Sequence, residues 1–217
     1  LGLLFVKNNW LLSLENFYKK VIGINSLGQE FQNQLEFVKI NGEYEVLGSE
    51  MLVQKKINHF ITWMSYSFNT NNYYFQENTP AVFPNNFELE HIVSWAGIYE
   101  KNNFKIALGS KWHSGKPITT PATKEISNGT TLNPSIKYNS PNSSNLDSFS
   151  QVNFSTTYKW KSSTGVNYKI GFSVLNVLNK SNIVNRYYTV DATSKNVDEV
   201  NSFALGRTPN LSFRVEF

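Results

Sequence analysis

Apolar residues recur at every second position in several stretches of this chain, and polar or turn-forming residues bound each stretch. In one, Phe104, Ile106, Leu108 and Trp112 alternate with Lys105, Gly109, Lys111 and His113. In a second, Val166, Tyr168, Ile170, Phe172 and Val174 alternate with Asn167, Lys169, Gly171 and Ser173. A third closes the sequence, with Leu211, Phe213, Val215 and Phe217 set against Asn210, Ser212, Arg214 and Glu216. Successive side chains of a strand point to opposite faces. A period of two therefore sets one face against an apolar medium and the other against a polar one.

Noisier runs extend the pattern. Trp10, Leu12, Leu14 and Tyr18 share a face opposite Ser13, Glu15 and Lys19, and Phe60, Thr62, Met64, Tyr66 and Phe68 make another. Val152, Phe154, Thr156, Tyr158 and Trp160 stand opposite Gln151, Asn153, Ser155 and Lys159. Phe87, Leu89, Val93 and Trp95 are flanked by Glu88, Glu90 and Ser94, with Ile92 interrupting the polar set. Leu47, Met51 and Val53 predict a weaker strand, and residues 1–6 open the series, which makes nine strands.

The connections sharpen this. Those over 7–9, 55–59, 100–103 and 162–165 are short and polar; those over 22–42, 69–86, 114–147 and 179–202 are long. Short and long alternate strictly. A soluble antiparallel sheet with one wet face explains the parity equally well, but not loops sorted by side. An up-and-down sheet with tight turns at one end and long loops at the other is the layout of outer-membrane β-barrels.

Composition fits that layout. Aromatic residues make up 15% of the 217 residues, yet the apolar fraction is only 40% and the mean hydropathy is −0.36. A soluble sandwich would bury those rings in a core, whereas a membrane barrel turns them outward and fills the alternate positions with polar residues. No window approaches the roughly 18 consecutive apolar residues of a membrane helix, which leaves spanning by strands open. Trp10, Trp63, Trp95, Trp112 and Trp160 fall near predicted strand ends, where interfacial girdles sit, although the parity of Trp63 assigns it to the polar side. The net charge of +4 is scattered and carries no nucleic-acid signal. Cysteine is absent, which excludes disulfides and thiolate metal sites.

Catalytic chemistry is not written in this sequence. His59, His91 and His113 fall on separate strands or turns without a carboxylate at ligand spacing, so no metal site is expected. Glu88 and Glu90, two apart on a predicted strand, share a face and read as a wet wall rather than an acid–base pair. Phosphate loops, nucleophile elbows and helical metal motifs are missing. The expectation is a non-enzyme without catalytic, cofactor or metal residues. Asn128-Gly129-Thr130 and Asn142-Ser143-Ser144 read as loop composition.

Four segments carry a family resemblance. Phe83-Pro84-Asn85-Asn86-Phe87, followed by Glu90-His91, resembles the opening of a late descending strand in TonB-dependent outer-membrane receptors, especially those of Bacteroidota. His113-Ser114-Gly115-Lys116-Pro117-Ile118-Thr119 resembles that family's Ser-Gly-x-Pro-hydrophobic-Thr motif before a late outer loop. Ser173-Val174-Leu175-Asn176-Val177-Leu178-Asn179-Lys180 is similar to its penultimate strand, and Arg207-Thr208-Pro209 to its closing strand. Their order and spacing cover nearly the whole chain.

The resemblance implies an all-β, antiparallel up-and-down transmembrane barrel of about 22 strands, with residues 1–217 as its last nine. Short turns would be periplasmic and long loops extracellular. A plug domain, the segment that contacts TonB and the earlier strands would precede Leu1, where the sequence starts in mid-strand without an initiator Met or signal peptide. The implied function is TonB-dependent active uptake of a scarce nutrient, whether siderophore, cobalamin, glycan or peptide, at the cell outer membrane. A passive porin or structural barrel is the alternative, and an outer-membrane protease or lipase a more distant one. Implied partners are outer-membrane lipid, TonB through the N-terminal region, the plug and the rest of the barrel, the barrel-assembly machinery and, as in glycan importers of the family, a surface lipoprotein lid. Glu15, Glu88, Glu90, Lys105, Lys111 and Lys169 become lumen-lining candidates, whose mixed signs select no ligand charge. Phe213, Val215 and Phe217 become the assembly signal, because a chain ending on an aromatic residue after alternating apolar positions offers an edge that pairs by β-augmentation.

Overall fold

Period-two segments become strands in the computed structural model, which describes residues 1–26, 40–76, 78–123, 136–191, 193–194 and 196–217. The strands in chain order are β1 (Gly2–Lys7), β2 (Trp10–Ser26), β3 (Ile40–Ile57), β4 (Phe60–Tyr74), β5 (Val82–Pro84), β6 (His91–Lys101) and β7 (Phe104–His113). They continue as β8 (Pro117–Ile118), β9 (Ser144–Asn145), β10 (Phe149–Lys161), β11 (Asn167–Leu175), β12 (Ile183–Val190), β13 (Val197–Phe203) and β14 (Thr208–Glu216). The main sheet runs β1-β2-β3-β4-β6-β7-β10-β11-β14, every neighbour antiparallel, with β5 attached to β4. The nine strands of that path correspond to the nine predicted ones. Among the described residues no strand pairs the outer edge of β1 or of β14, so the sheet does not close on itself.

Tight turns gather at one end. Lys7 pairs with Trp10, Ile57 with Phe60 and Lys101 with Phe104, leaving two-residue turns. Asn8, Asn9, Asn58 and Asn102 occupy positive φ there (50, 63, 49 and 54°), a region that asparagine tolerates and that hairpin turns exploit. Gly165, at φ 91°, serves the fourth turn. The four long connections leave from the other end.

Strand bounds differ from expectation in two places. β3 covers 18 residues instead of a short stretch near 47–53, because it stays paired with β2 up to Ser26–Ile40. β6 starts at His91 rather than Phe87. Asn85 turns the chain just upstream: its carbonyl accepts the Glu88 N–H at 2.9 Å and its side-chain oxygen accepts the Phe87 N–H at 2.9 Å. Glu88 and Glu90 consequently lie in the connection and not on a strand. The segment read as a loop over 179–202 contains the β12–β13 hairpin. Asn128-Gly129-Thr130 and parts of the 22–42 and 114–147 connections, read above as loop, lie outside the described residues.

Directly paired residues share a face, so the register sorts the whole sheet. One row runs Tyr99, Ile106, Thr156, Phe172 and Leu211; the next runs Phe104, Tyr158, Ile170 and Phe213. Across β4, β3, β2 and β1 the same face continues through Met64, Val53, Leu12 and Phe5. Between Trp10 and Tyr18 on β2, Phe60 and Phe68 on β4, and Phe104 and Trp112 on β7, this face carries no Asp, Glu, Lys or Arg. The eight steps from Phe104 to Trp112 at ~3.3 Å each make about 26 Å along the strand. Charges return at both margins of this face: Lys7, Lys55 and Lys101 toward the turns, Lys20, Glu43 and Glu45 toward the loops. The opposite face is polar or small over most of the sheet, including Glu15, Glu50, Lys105, Gly109, Lys111, Asn153, Lys169, Gly171 and Arg214.

Among the described residues no second layer covers the apolar face. Leu108, Ile170, Phe172, Phe213 and Leu211 remain 38, 40, 41, 61 and 70% exposed, and the buried hydrophobic residues among those described are Phe75 and Leu146. The accessible surface is 14919 Å², whereas a folded soluble monomer of this mass has roughly 10,000 Å².

Candidate functional site

Buried polar side chains and hydrogen bonds between segments concentrate at the loop end, where strands hand over to long connections. Each segment behind the family resemblance forms a clamp there. In Phe83-Pro84-Asn85-Asn86-Phe87, Asn85 is buried and its N–H donates to the Asn71 carbonyl at 2.8 Å. Glu88 accepts the Asn71 N–H at 2.7 Å, and Tyr73 donates its hydroxyl to Asn86 at 3.3 Å. In the segment from His113 to Thr119, the Ser114 hydroxyl accepts the His91 N–H at 3.1 Å, and a Cβ on Gly115 would collide with the Leu146 carbonyl. Only glycine lets those backbones meet.

Two asparagines in the 176–182 segment are buried completely or nearly so, Asn176 at 0% and Asn182 at 2% exposure. Asn176 donates to the carbonyls of Lys180 (2.9 Å) and Leu205 (3.1 Å) and accepts the Lys180 N–H (3.1 Å). Asn182 accepts the Ser150 N–H and donates to the Ser150 carbonyl, both at 2.9 Å, so its amide imitates a strand neighbour. Arg207 completes the lock, its N–H donating to Asn179 at 2.9 Å and its Nε to the Val177 carbonyl at 3.0 Å. Buried amides cost free energy unless paired, and here the pairing fixes where the last long connection begins and ends.

Loops also meet one another. Asn142 donates to the Pro84 carbonyl at 2.7 Å, which joins the third long connection to the second. Tyr138 and Tyr188 approach edge to face at 6.4 Å, and Lys180 Nζ donates to the Ser148 carbonyl at 2.8 Å. On the polar side, Tyr44, Tyr73, Phe75 and Phe83 form an aromatic cluster with centroid separations of 5.6–6.3 Å. Phe75 lies over Gly42, where any side chain would clash with the ring.

Electrostatics support the same end. Lys20 Nζ donates to Glu43 at 2.8 Å and to Glu45 at 3.0 Å, clasping β2 to β3 beyond the apolar band. The hydrogen bonds to Glu43 and then Glu45 raise the Lys20 pKa above the ordinary lysine range. The Lys20 hydrogen bond, followed by one from Tyr18, lowers that of Glu45. Partial burial raises the Glu88 pKa, the Asn71 N–H opposes the rise, and nearby Glu90 adds to it. Asp191 is lowered by N–H donation from Thr193 at 2.7 Å, which caps the β12–β13 turn.

The predicted site residues do not converge. Glu15, Lys105, Lys111 and Lys169 lie on the polar face but on three strands, while Glu88 and Glu90 sit in the loop-end connection. Phe213, Val215 and Phe217 follow the apolar face on and after β14, one of the two edge strands. Among the described residues no group of three or more His, Cys, Asp or Glu side chains is placed to hold a metal. His91 instead accepts or donates one bond with the Tyr66 hydroxyl at 2.9 Å, and His113 stacks on Phe149 at 4.8 Å. The asparagine clamps and the aromatic cluster were not foreseen as sites; the signal for the clamps was asparagine following directly on an alternating strand. No protein-family model matches the chain, and no curated protein matches it.

Proposed function

We propose that this chain is the C-terminal part of a transmembrane β-barrel in the outer membrane, and that the parent protein takes up a scarce nutrient actively through TonB. The observation that carries the membrane part is the uncovered apolar face. It crosses nine strands, spans a length suited to tilted membrane strands and is bounded by charges at both ends. A lipid solvent accounts for a sheet that leaves this face bare and turns its polar positions the other way. The two open edges of β1 and β14 require further strands, because unpaired backbone groups in lipid cost several kcal/mol each. The TonB part rests on the four motif segments, which supply the loop-end clamps.

Uptake by the full-length protein tests the proposal. Cells expressing it should accumulate one of a radiolabelled siderophore, cobalamin, glycan or peptide panel, and a protonophore should abolish that accumulation. Accumulation that survives the protonophore would instead favour a passive porin. Orientation is tested separately: cysteine at Ser140 should react with an impermeant thiol reagent on intact cells, and cysteine at Ser163 should not.

A further inference from the structure

Three cations stand side by side at the turn end of the polar face. Lys159 on β10 pairs directly with Lys169 on β11, and Lys169 pairs directly with Arg214 on β14. Adjacent strands lie ~4.8 Å apart, so the three backbones fall within about 10 Å. Like charges directly opposite one another destabilise a sheet. Lys105, the next polar-face lysine along the sheet toward β7, has a carboxylate of its own, Glu100 at 3.4 Å. Among the described residues Lys159 and Lys169 form no ion pair, and Arg214 reaches only Glu216, at 3.7 Å with both side chains largely exposed. The row also lines a cleft of about 500 Å³ at the turn-end rim, where Lys161, Asn103, Asn167 and the Glu216 carboxylate join it. Trp160 and Tyr168 close it from the apolar side, so that four cations face one carboxylate.

We infer that this cleft is an oxyanion-binding site for a phosphate-bearing solute. A tetrahedral phosphate carries up to two charges and several acceptor oxygens, enough for a guanidinium fork and two ammonium groups at once. A lone carboxylate offers one charge and two oxygens. Arg214 supplies the planar fork, Lys169 the central charge and Lys159 the third contact, and the amides of Asn103 and Asn167 are further donors at the rim. The inference needs only the strand register and the polar face, so it stands apart from the uptake proposal.

Inorganic phosphate is the probe, titrated calorimetrically into the purified full-length protein. Saturable binding is expected, weakened at least tenfold by Lys169→Gln, retained by Lys169→Arg and unchanged by Lys56→Gln, a turn-end lysine on the same face. Thermal melts of each variant separate loss of binding from loss of fold. Absence of saturable binding, or binding indifferent to Lys169→Gln, would overturn the assignment. So would a carbodiimide cross-link from Lys169 to an acidic segment of the parent chain, since the row would then already be neutralised.

Discussion

Asparagine does two separate things in this chain, and only one follows from local rules. At Asn8, Asn9, Asn58 and Asn102 it accepts positive φ in short turns, a property any sequence reader can apply. At Asn176 and Asn182 it replaces missing ladder partners, which depends on Lys180, Leu205 and Ser150 arriving from elsewhere. Replacing Asn182 by Asp removes the donor to the Ser150 carbonyl and sets oxygen against oxygen in a site 2% exposed. An unsatisfied buried group costs about 1–3 kcal/mol, more when charged. Equilibrium unfolding of the full-length protein in detergent should register at least that loss, and a change below ~0.5 kcal/mol would remove the clamp's importance. Side-chain parity, by contrast, was legible from the start because backbone geometry alone decides it. Ile170→Arg is expected to cost about 2–4 kcal/mol near the middle of a membrane-facing band. Ser173→Arg, on the polar face of the same strand, should cost far less. Gly171 is a poorer control, since a Cβ there would stand 2.7 Å from Ser212 Oγ. Equal costs at 170 and 173 would contradict the assignment of faces.

Strands with clean alternation were readable one by one, and their order in the sheet followed from the lengths of the connections. Elements governed by charge or by local turns were not. β3 outruns its apolar run because Lys20, Glu43 and Glu45 keep it paired with β2 where the apolar pattern has stopped. The β12–β13 hairpin lacks a one-sided apolar face: Val184, Arg186 and Tyr188 share one side and Asn185, Tyr187 and Thr189 the other. The Lys20 clasp has a defined pH window. Glu45 is lowered from an ordinary value of 4.5, so its contribution is present above that value and is lost as pH falls through the lowered one. Lys20 is raised from 10.5, so its contribution is present below that value and is lost only as pH rises through the raised one. Hydrogen exchange at residues 19–22 and 43–46, corrected for intrinsic rate, should therefore show protection falling below pH 4.5. Lys20→Met should remove that pH dependence, and protection unchanged at pH 3 would contradict the clasp. At the other end of the chain, deletion of Phe217 distinguishes an assembly signal from a simple anchor. Periplasmic accumulation and degradation of the truncated full-length protein are expected, and normal surface levels would exclude the signal role.

At the scale of the whole molecule, the central fact is a two-faced sheet whose buried hydrophobic residues, among those described, are only Phe75 and Leu146. Its surface exceeds that of a soluble monomer by nearly half, and large apolar side chains on one face of the sheet stay exposed. Aromatic rings gather toward the turn end of that face, where Tyr158, Trp160, Tyr168 and Phe213 form a cluster with centroids 5.3–6.2 Å apart. Lys55 Nζ lies 4.5 Å from the Trp10 ring at the same margin. Amphipathic rings and lysines at the edge of an apolar band are what a lipid–water boundary favours. The tryptophans offer a direct test, because Trp95 pairs with Met64 on the apolar face while Trp63 pairs with Ala96 on the polar one. Those two rows are adjacent, so the rings sit at nearly the same height on opposite sides. Full-length protein retaining only one of them can be placed in bilayers of lipids brominated along the acyl chains, and its fluorescence recorded. Trp95 should be strongly quenched and Trp63 nearly unaffected; equal quenching of both, or none of Trp95, would contradict a membrane-facing sheet.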